Sequence, residues 1–509
     1  MANAAPDPLR PACRLLGARP ASGAAAAVAL ANRLDELLAL ELPGPAPLNL
    51  RLAEARTLRL AGSLELAARE SARCRRTPGP GALLAAAAEL RAGLTGRTAE
   101  LPTDELAARP KSVDRASRSA DLLEARLAAT LARLPFTWPE ELAEAPEAFL
   151  CVSQDEVEAL TSIPTSGSQG RLKRVFSSAE DLEGVVSFFQ FGMRHLVEPG
   201  RDRPALLMNG GRPGTVGWLL EKALARWDVP LLIAGFLDFA RLDAVAAELA
   251  EARVTCLVGL PWQLLALARG AVSRRPAALQ TVLLSGEAAP QALKQALTDE
   301  WGAEVFVHYG LTEFGLGGAV ECRCHGGPHL READLAVEIV DADGRALPPG
   351  QAGEIVVTSL SRRAMPLLRY RTGDLGLMAP DACPCGSVMR RLRPLGRLAD
   401  RLTLPDGRLT SLTELGELLP PFAAGCRLGW RPSPPLLRAA FAVRPGTGPA
   451  NRPSGGPSAA EARRLRQDFL AFLGPGVELE LVFEELAQRP GSLGAKNVLA
   501  ALGPAPAER

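Results

Sequence analysis

Between residues 200 and 310 short apolar runs alternate with helical patterns, and this alternation narrows the possible folds more than anything else in the chain. The runs at 205–208, 231–234, 254–258, 281–284 and 305–307 are short and mainly apolar, as strands buried on both faces are. Helical patterns lie between them, for example at 216–227 and 290–298. Strand and helix repeated in this way predict an α/β fold, a parallel sheet flanked by helices. The polar residues fall in one kind of place: Asn209-Gly-Gly211, Ser285-Gly-Glu287 and Tyr309-Gly310 each follow a strand directly. In an open α/β sheet the ligand crevice lies outside the carboxyl ends of the strands, so these groups converge on one edge.

The rest of the chain divides around that unit. Residues 1–130 are rich in Ala, Leu and Arg, show helical periodicity and carry no recognisable chemistry. From 334 to 378 the period changes to two. Strands are expected at 335–340, 354–359 and 374–378, with Asp343-Gly344 and Pro349-Gly350 as turns, in an antiparallel, barrel-like subdomain. Beyond Arg397 come a hairpin around Asp406-Gly407, a helix at 411–419, strands near 427 and 438, a helix at 459–472 and a strand at 477–483. The expected division is a helical N-terminal region (1–130), a large core domain (131–395) and a small α+β lid domain (396–509), in line with a length of 509 residues.

One loop stands out. Thr165-Ser-Gly-Ser-Gln-Gly-Arg-Leu-Lys173 packs hydroxyls, two glycines and a cation together, after an acidic, helix-like segment and before an amphipathic run from Ser177-Ser178 toward Phe191. Gly167 and Gly170 can take positive φ and turn their N–H groups inward. With Ser166, Ser168 and Lys173 such a nest suits a polyphosphate. A solvated Ser/Gly loop is the ordinary alternative, and the Walker A spacing is absent. A net charge of +1 gives no bulk argument for nucleic acid or an anionic membrane. No apolar run reaches the roughly 20 residues that span a bilayer, and the alanine-rich run at 21–31 lacks the leucines of a signal peptide. Nine cysteines, four of them in two Cys-x-Cys pairs, suit metal chemistry in a reducing compartment. A cytoplasmic protein without nucleic-acid or membrane partners is expected.

Downstream of the loop come Ser285-Gly-Glu287, His308-Tyr-Gly-Leu-Thr-Glu313, Arg369-Tyr-Arg-Thr-Gly-Asp374 and Gly396-Arg397. In this order and spacing the set resembles the adenylate-forming superfamily of acyl- and aryl-CoA ligases, adenylation domains and luciferases. It is most similar to the phenylacetate–CoA ligase branch, where a Leu-Pro-Phe-Thr segment like that at 134–137 precedes the phosphate loop. The resemblance covers about residues 131–420 and, loosely, the C-terminus. It implies a large adenylation domain with a small lid, and a ligase using ATP, Mg2+ and coenzyme A to turn an aromatic or bulky carboxylic acid into an acyl-adenylate and then a thioester. In such a reaction the acid's carboxylate is itself the nucleophile, so catalysis is positioning and charge neutralisation.

The resemblance implies roles at the matching positions. Ser166, Gly167, Ser168, Gly170 and Lys173 would hold the β- and γ-phosphates, and Gly286 and Glu287 would lie along adenine. Tyr309, Gly310 and Thr312 would frame the nucleotide, and Glu313 would ligate magnesium. Asp374 would accept the ribose hydroxyls, Arg397 would reach ribose or phosphate, and Lys496 is the candidate catalytic lysine. An acid pocket is expected between residues 209–218 and Tyr309, with Trp218 as a candidate wall. Many members of the superfamily dimerise, and a homodimer is compatible with the resemblance.

Cys322-Arg-Cys324-His325 with His329, and then Cys383-Pro-Cys385, offer the nitrogen and sulfur donors of a closed structural zinc site. In the branch that the chain resembles the matching residues are Cys322, His329, Cys383 and Cys385, which leaves Cys324 and His325 as spare or alternative ligands. Reduced, buried thiols are the competing reading. The chain also departs from the family pattern. Gln169 stands where a small hydroxyl residue is usual and Leu172 where proline is; Ala399-Asp400 shifts the hinge acid by one; Pro405-Asp-Gly-Arg408 is a poor match to the acceptor tunnel; and Lys496 follows Gly494-Ala495. These departures fall mostly on the expected small domain, which in the family that the chain resembles serves the second half-reaction. Two other readings therefore stand beside the first: adenylation with transfer to a carrier protein, amine or hydroxyl, and a degenerate nucleotide-binding homologue without turnover.

Overall fold

The computed structural model describes residues 136–164, 172–271, 276–332, 334–359, 361–387, 389–443, 457–485 and 500–501. Residues 1–130 and the phosphate-loop residues Ser166, Gly167, Ser168 and Gly170 lie outside that range, as does Lys496. A short helix α1 (Pro139–Glu144) has its proline in the first turn, where the missing N–H costs nothing. Strands β1 (Ala159–Pro164) and β2 (Leu172–Ser177) then pair antiparallel, with Pro164 opposite Leu172. Both ends of the 165–171 segment are thus held side by side.

The acidic segment before that loop is helical in part: Glu140, Glu141 and Glu144 lie in α1 and Glu147 in a 3-10 turn, and in a second 3-10 turn, Gln154–Glu156, Glu156 accepts from the backbone N–H and hydroxyl of Ser153. What directly precedes the loop is a strand, β1. The β1 segment itself, Ala-Leu-Thr-Ser-Ile-Pro, is β-branched at Thr161 and Ile163 and stops at proline, a composition that favours a short strand. Helix α2 (Ala179–Met193) begins with a capping box: the Ser178 hydroxyl accepts the Asp181 N–H at 3.2 Å and the Asp181 carboxylate accepts the Ser178 N–H at 3.0 Å. Asp181 also takes the N–H groups of Arg363 and Ala364, at 2.7 and 3.0 Å, which ties α2 to a segment more than 180 residues away in sequence.

The expected parallel sheet is present. β3 (Pro204–Leu207), β4 (Leu232–Ile233), β5 (Cys256–Gly259), β6 (Thr281–Leu284) and β7 (Glu304–Tyr309) lie in the order β4-β3-β5-β6-β7, all parallel. Two short antiparallel strands, β8 (Ala319–Val320) and β9 (His329–Leu330), extend it. Helices α3 (Val216–Ala225), α4 (Leu242–Glu251), α5 (Pro261–Gly270) and α6 (Gln291–Trp301) complete the layers. Successive strand residues enter opposite cores. Leu206, Val258, Leu283 and Phe306 pack with α2 and α3, whereas Ala205, Leu207, Leu257 and Val282 pack with α4, α5 and α6. This is why the strands read as continuous apolar runs rather than alternating ones. The chain order reverses between β3 and β5, the place where a sheet of this kind opens a crevice at its carboxyl edge.

A second sheet is antiparallel in sequence order: β10 (Leu335–Val340), β11 (Gly353–Ser359), β12 (Tyr370–Met378) and β13 (Leu392–Arg397). The expected hairpin around Asp406-Gly407 is β14 (Arg401–Thr403) and β15 (Leu409–Ser411), followed by α7 (Leu412–Gly416). Next comes a sheet of β16 (Ala423–Pro432), β17 (Pro435–Val443), β18 (Glu478–Glu485) and β19 (Ala500–Ala501). Helix α8 (Ala459–Leu473) covers it through Leu465, Phe469 and Leu473. This last unit docks on the main sheet's helices. Ala424 and Ala442 are fully buried in the same cluster as Leu264 and Leu265 of α5, and Arg269 donates to the carbonyls of Pro420 and Ala423 at 3.1 and 2.6 Å. Glu417 accepts the N–H groups of Gln291 and Ala292 (2.7 and 2.9 Å), an anion at the N-terminus of α6. Among the described residues no helix is long and apolar enough to cross a membrane.

Candidate active site and metal-binding cluster

At the end of β7 the chain folds back sharply. Gly310 makes this possible, since a Cβ there would lie 1.8 Å from the carbonyl oxygen of Leu316. Leu316 donates to the Leu311 carbonyl and Gly318 to that of Tyr309, closing the 3-10 turn Thr312–Phe314. Glu313 is thereby buried, 5% exposed, facing the neighbouring elements. Lys173, from the start of β2, places its Nζ 2.9 Å from the Glu313 carboxylate and also donates to the Tyr370 hydroxyl at 3.0 Å. Tyr370, from β12, donates in turn to the same carboxylate at 3.0 Å. Burial alone would raise the Glu313 pKa, but the Lys173 charge and hydrogen bond outweigh it and hold the carboxyl below its ordinary value. Burial, and then the Glu313 charge, push the Tyr370 hydroxyl upward, so it stays a proton donor.

Beside this group is a second one. Asp374 and Arg397 are cross-strand partners on β12 and β13, with Arg397 Nε 2.9 Å from one carboxylate oxygen. The Tyr309 hydroxyl donates to the other oxygen at 3.0 Å. Burial, then the Asp374 charge, raise the Tyr309 pKa well above its usual value. Gly286, with φ of 84°, turns the chain directly after β6, and an added Cβ would meet Leu260 at 2.9 Å. The geometry therefore gathers Lys173, Gly286, Tyr309, Gly310, Thr312, Glu313, Asp374 and Arg397 around the carboxyl edge of the main sheet, with Glu287 next to Gly286. The motifs alone give Tyr370 no role, although it is one of only two tyrosines in the chain.

Under the same edge lies a cavity of about 40 Å³. Phe188, Phe189 and Met193 of α2 and Val216 and Leu220 of α3 form one wall, and Ser285 and His308 close it from the strand ends. Trp218 does not belong to this wall; its ring lies against the Lys222 ammonium, 5.1 Å from centroid to Nζ. Ser285 and His308 immediately precede Gly286 and Tyr309, so the cavity adjoins the polar groups above. The His308 Nδ1 is 3.0 Å from the Ser285 hydroxyl, and both Phe188 and Phe189 have ring centroids 6.1 Å from the imidazole.

A separate cluster joins the two sheets. The ligand atoms of Cys322, His329, Cys383 and Cys385 all lie within 4.8 Å of one another. Cys322 Sγ is 3.6 Å from Cys383 Sγ, and Cys385 Sγ is 3.5 Å from His329 Nε2. His329 Nδ1 is 3.0 Å from the Met389 carbonyl; a proton donated there leaves Nε2 free to bind a metal. Three sulfurs and one imidazole nitrogen, mostly buried, could hold a metal ion. His325 turns elsewhere, toward Glu304 at 2.9 Å, and Cys324 is exposed.

The profile of the AMP-binding enzyme family matches residues 82–361, more than half of the chain, starting inside the N-terminal region. The phenylacetate-coenzyme A ligase of Thermus thermophilus is 37% identical over 138 residues, which are 26% of this chain and 31% of that ligase. The phenylacetate-coenzyme A ligase of Escherichia coli K12 is 35% identical over 130 residues, 25% of this chain and 29% of the relative. The matched segments thus span less than a third of those curated relatives. Among solved structures, 2-hydroxyisobutyryl-CoA ligase in the postadenylation state with 2-HIB-AMP superposes with a TM-score of 0.64 at 18% identity, covering 88% of this chain and 89% of that one. The anthranilate CoA ligase AuaEII in complex with anthranoyl-AMP gives 0.50 at 18% identity over 69% of this chain and 68% of its own. At such identities the likeness is one of fold, and it agrees with the α/β architecture of this chain. From the profile match over more than half its length, the chain belongs to the AMP-binding enzyme family.

Proposed function

We propose that the protein is an AMP-forming ligase that activates an aromatic or bulky carboxylic acid with ATP and transfers it to coenzyme A. The observation that carries this reading is the convergence of Lys173, Glu313 and Tyr370 with Tyr309, Asp374 and Arg397 at one sheet edge, beside an apolar cavity. In the first step a carboxylate oxygen of the acid attacks the α-phosphorus of ATP, the bond to the β-phosphate breaks and pyrophosphate leaves. In the second the thiolate of coenzyme A attacks the acyl carbon and AMP departs with the electron pair of the acyl–phosphate bond. The chain supplies position and charge, not a base, for the first step.

Lys173, at the exit of the 165–171 loop, would neutralise phosphate charge together with Ser166, Gly167, Ser168 and Gly170. Asp374, held from both sides, presents its carboxylate at the head of β12 for the ribose hydroxyls, with Arg397 beside it. Gly286, Glu287, Gly310 and Thr312 would bound the base and sugar. Magnesium, when bound, neutralises the polyphosphate, and a single buried carboxylate, Glu313, fits a cation held largely through substrate oxygens. Lys496 would act in adenylation from the small domain. Zinc suits the Cys322–His329–Cys383–Cys385 cluster, whose four protein donors leave no open position, and there it would clip β9 to the loop before β13.

The test is product analysis with a panel of aryl and arylacetic acids, ATP, magnesium and coenzyme A. AMP and an acyl thioester should form in equal amounts. AMP formed without consumption of coenzyme A would support transfer to a different acceptor, the reading that the segment from Pro405 to Arg408 favours. ATP binding with no AMP from any acid would overturn the proposal in favour of a degenerate homologue.

A further inference from the structure

We propose that the ion pair between Lys173 and Glu313 is a latch that the phosphates of a nucleotide and a divalent cation open only together, with Tyr370 holding the carboxylate in place while it is open. This rests on the ligase reading above, which brings phosphates to Lys173 and a cation to Glu313, and adds to it how the two bind. Three polar atoms form a closed triangle. Lys173 Nζ is 2.9 Å from Glu313 Oε1, and the Tyr370 hydroxyl is 3.0 Å from each of them. Both donors therefore fall on the same carboxylate oxygen. Little water reaches the group: the side chains of Lys173 and Glu313 are 13% and 7% exposed, and Tyr370 is fully buried. Among the described residues, each of the two charges is the other's only ion-pair partner.

Neither residue can turn to its ligand alone without a penalty. If Lys173 moved to a phosphate by itself, Glu313 would remain a buried carboxylate without its counter-charge. If Glu313 took a cation by itself, that cation would lie beside an ammonium held 2.9 Å from the same carboxylate. In a poorly hydrated site like charges repel far more than in water. With both ligands present the ammonium meets phosphate, the carboxylate meets the cation, and every charge is matched. Each ligand removes the penalty of the other, which is a coupling between two binding events and acts equally in both directions. Tyr370 keeps the exchange ordered. Its hydroxyl accepts from Lys173 and donates to Glu313, so the carboxylate retains a donor on Oε1 after the ammonium leaves. The ring itself is fixed in a core with Leu142, Phe149, Val175 and Met365.

The experiment offers each ligand alone to the full-length protein, which separates this coupling from the complex that metal and nucleotide form in solution. Mn2+, as a probe for magnesium, is titrated without nucleotide and the free ion is read by EPR. ATP is titrated in EDTA and read by calorimetry. Glu313→Gln serves as the blank for Mn2+ held elsewhere, the cysteine cluster included. Breaking the latch from one side should help the ligand of the other. Lys173→Met should bind Mn2+ alone about tenfold or more tightly than the wild type, and Glu313→Gln should bind metal-free ATP about tenfold or more tightly. Tyr370→Phe should weaken ATP binding about fivefold in the presence of Mn2+ and leave it nearly unchanged in EDTA. A purely structural role would weaken both alike, which would overturn the part given to Tyr370. Mn2+ alone bound as tightly by the wild type as by Lys173→Met, or metal-free ATP bound no better by Glu313→Gln, would overturn the latch. So would a wild type that binds metal-free ATP as tightly as the exchange-inert chromium(III) complex of ATP, a result that needs no variant. Those outcomes beside acid-dependent pyrophosphate exchange would sink only this inference. No binding of ATP with or without Mn2+ would sink the ligase reading and this inference with it.

Discussion

Asp374 is held by two partners of different kinds, a guanidinium on one oxygen and a phenol on the other. Asp374→Asn puts an NH2 against one of these two donors and removes the charge. Arg397 is about one-third exposed on its side chain, so solvent limits the stability loss to about 1 kcal/mol or less. The apparent ATP affinity should fall by about tenfold or more, because charge-assisted hydrogen bonds to the sugar are lost; nucleotide titration checks this. Glu313 gives a second expectation. Its folded-state pKa is depressed, so its contribution to stability is present above the unfolded value of about 4.3 and is lost as pH falls through the folded one. Glu313→Gln should cost about 3 kcal/mol at neutral pH, by leaving the Lys173 ammonium buried without its counter-charge. It should also flatten the fall in melting temperature on acidification below about pH 4. Lys173, Glu313, Tyr309 and Asp374 were legible from their motifs. Their partners were not, because Lys173 meets Tyr370 across 197 residues and spacing along a chain carries no record of such contacts. Ser285 and His308 stand in recognisable motifs that give them no role; the signal available was their position, one residue before each nucleotide motif at a strand end.

At the level of elements, Gly310 is the tightest point of the site. Gly310→Ala drives a methyl group into the Leu316 carbonyl, and no side-chain rotamer relieves a clash with backbone. The expected loss is about 2 kcal/mol or more, with the Thr312–Phe314 turn displaced. Thermal unfolding measures the first effect, and loss of acid-dependent AMP formation reports the second. The sequence placed the strands of the main sheet well, since burial on both faces writes itself as an apolar run. It gave no sign of β1, which stands between the acidic helical turns and the loop. Trp218, the candidate wall of the acid pocket, does not line this cavity, whereas Val216 and Leu220 do. The helix period explains the difference: 216 and 220 share a face, and 218 lies on nearly the opposite one. Likewise the amphipathic pattern of α2 announced a buried face, without saying that Phe188 and Phe189 would close a cavity with it.

Over the whole molecule, long-range ties decide how the units sit. The four-residue sulfur and nitrogen cluster draws on β9, on the loop before it and on the loop between β12 and β13, so a bound ion would restrain both sheets at once. The purified protein should hold about one zinc per chain, and Cys385→Ser or chelation should lower both metal content and melting temperature. Elemental analysis beside calorimetry separates loss of metal from simple misfolding. The docking of the β16–β17 sheet and the segment before it on α5 and α6, through Ala424, Ala442, Arg269 and Glu417, was invisible in sequence because nothing in alanine-rich strands names their partner. The proposed nucleotide site is the feature on which the whole functional reading depends. Its most direct test is acid-dependent exchange of labelled pyrophosphate into ATP, without coenzyme A, in the wild type and Asp374→Ala. Exchange that needs an acid and falls by at least about a hundredfold in the variant is the expected result, as for loss of a charged contact used in the transition state. Measurable ATP binding with no exchange from any acid, or exchange undiminished in Asp374→Ala, would contradict the assignment.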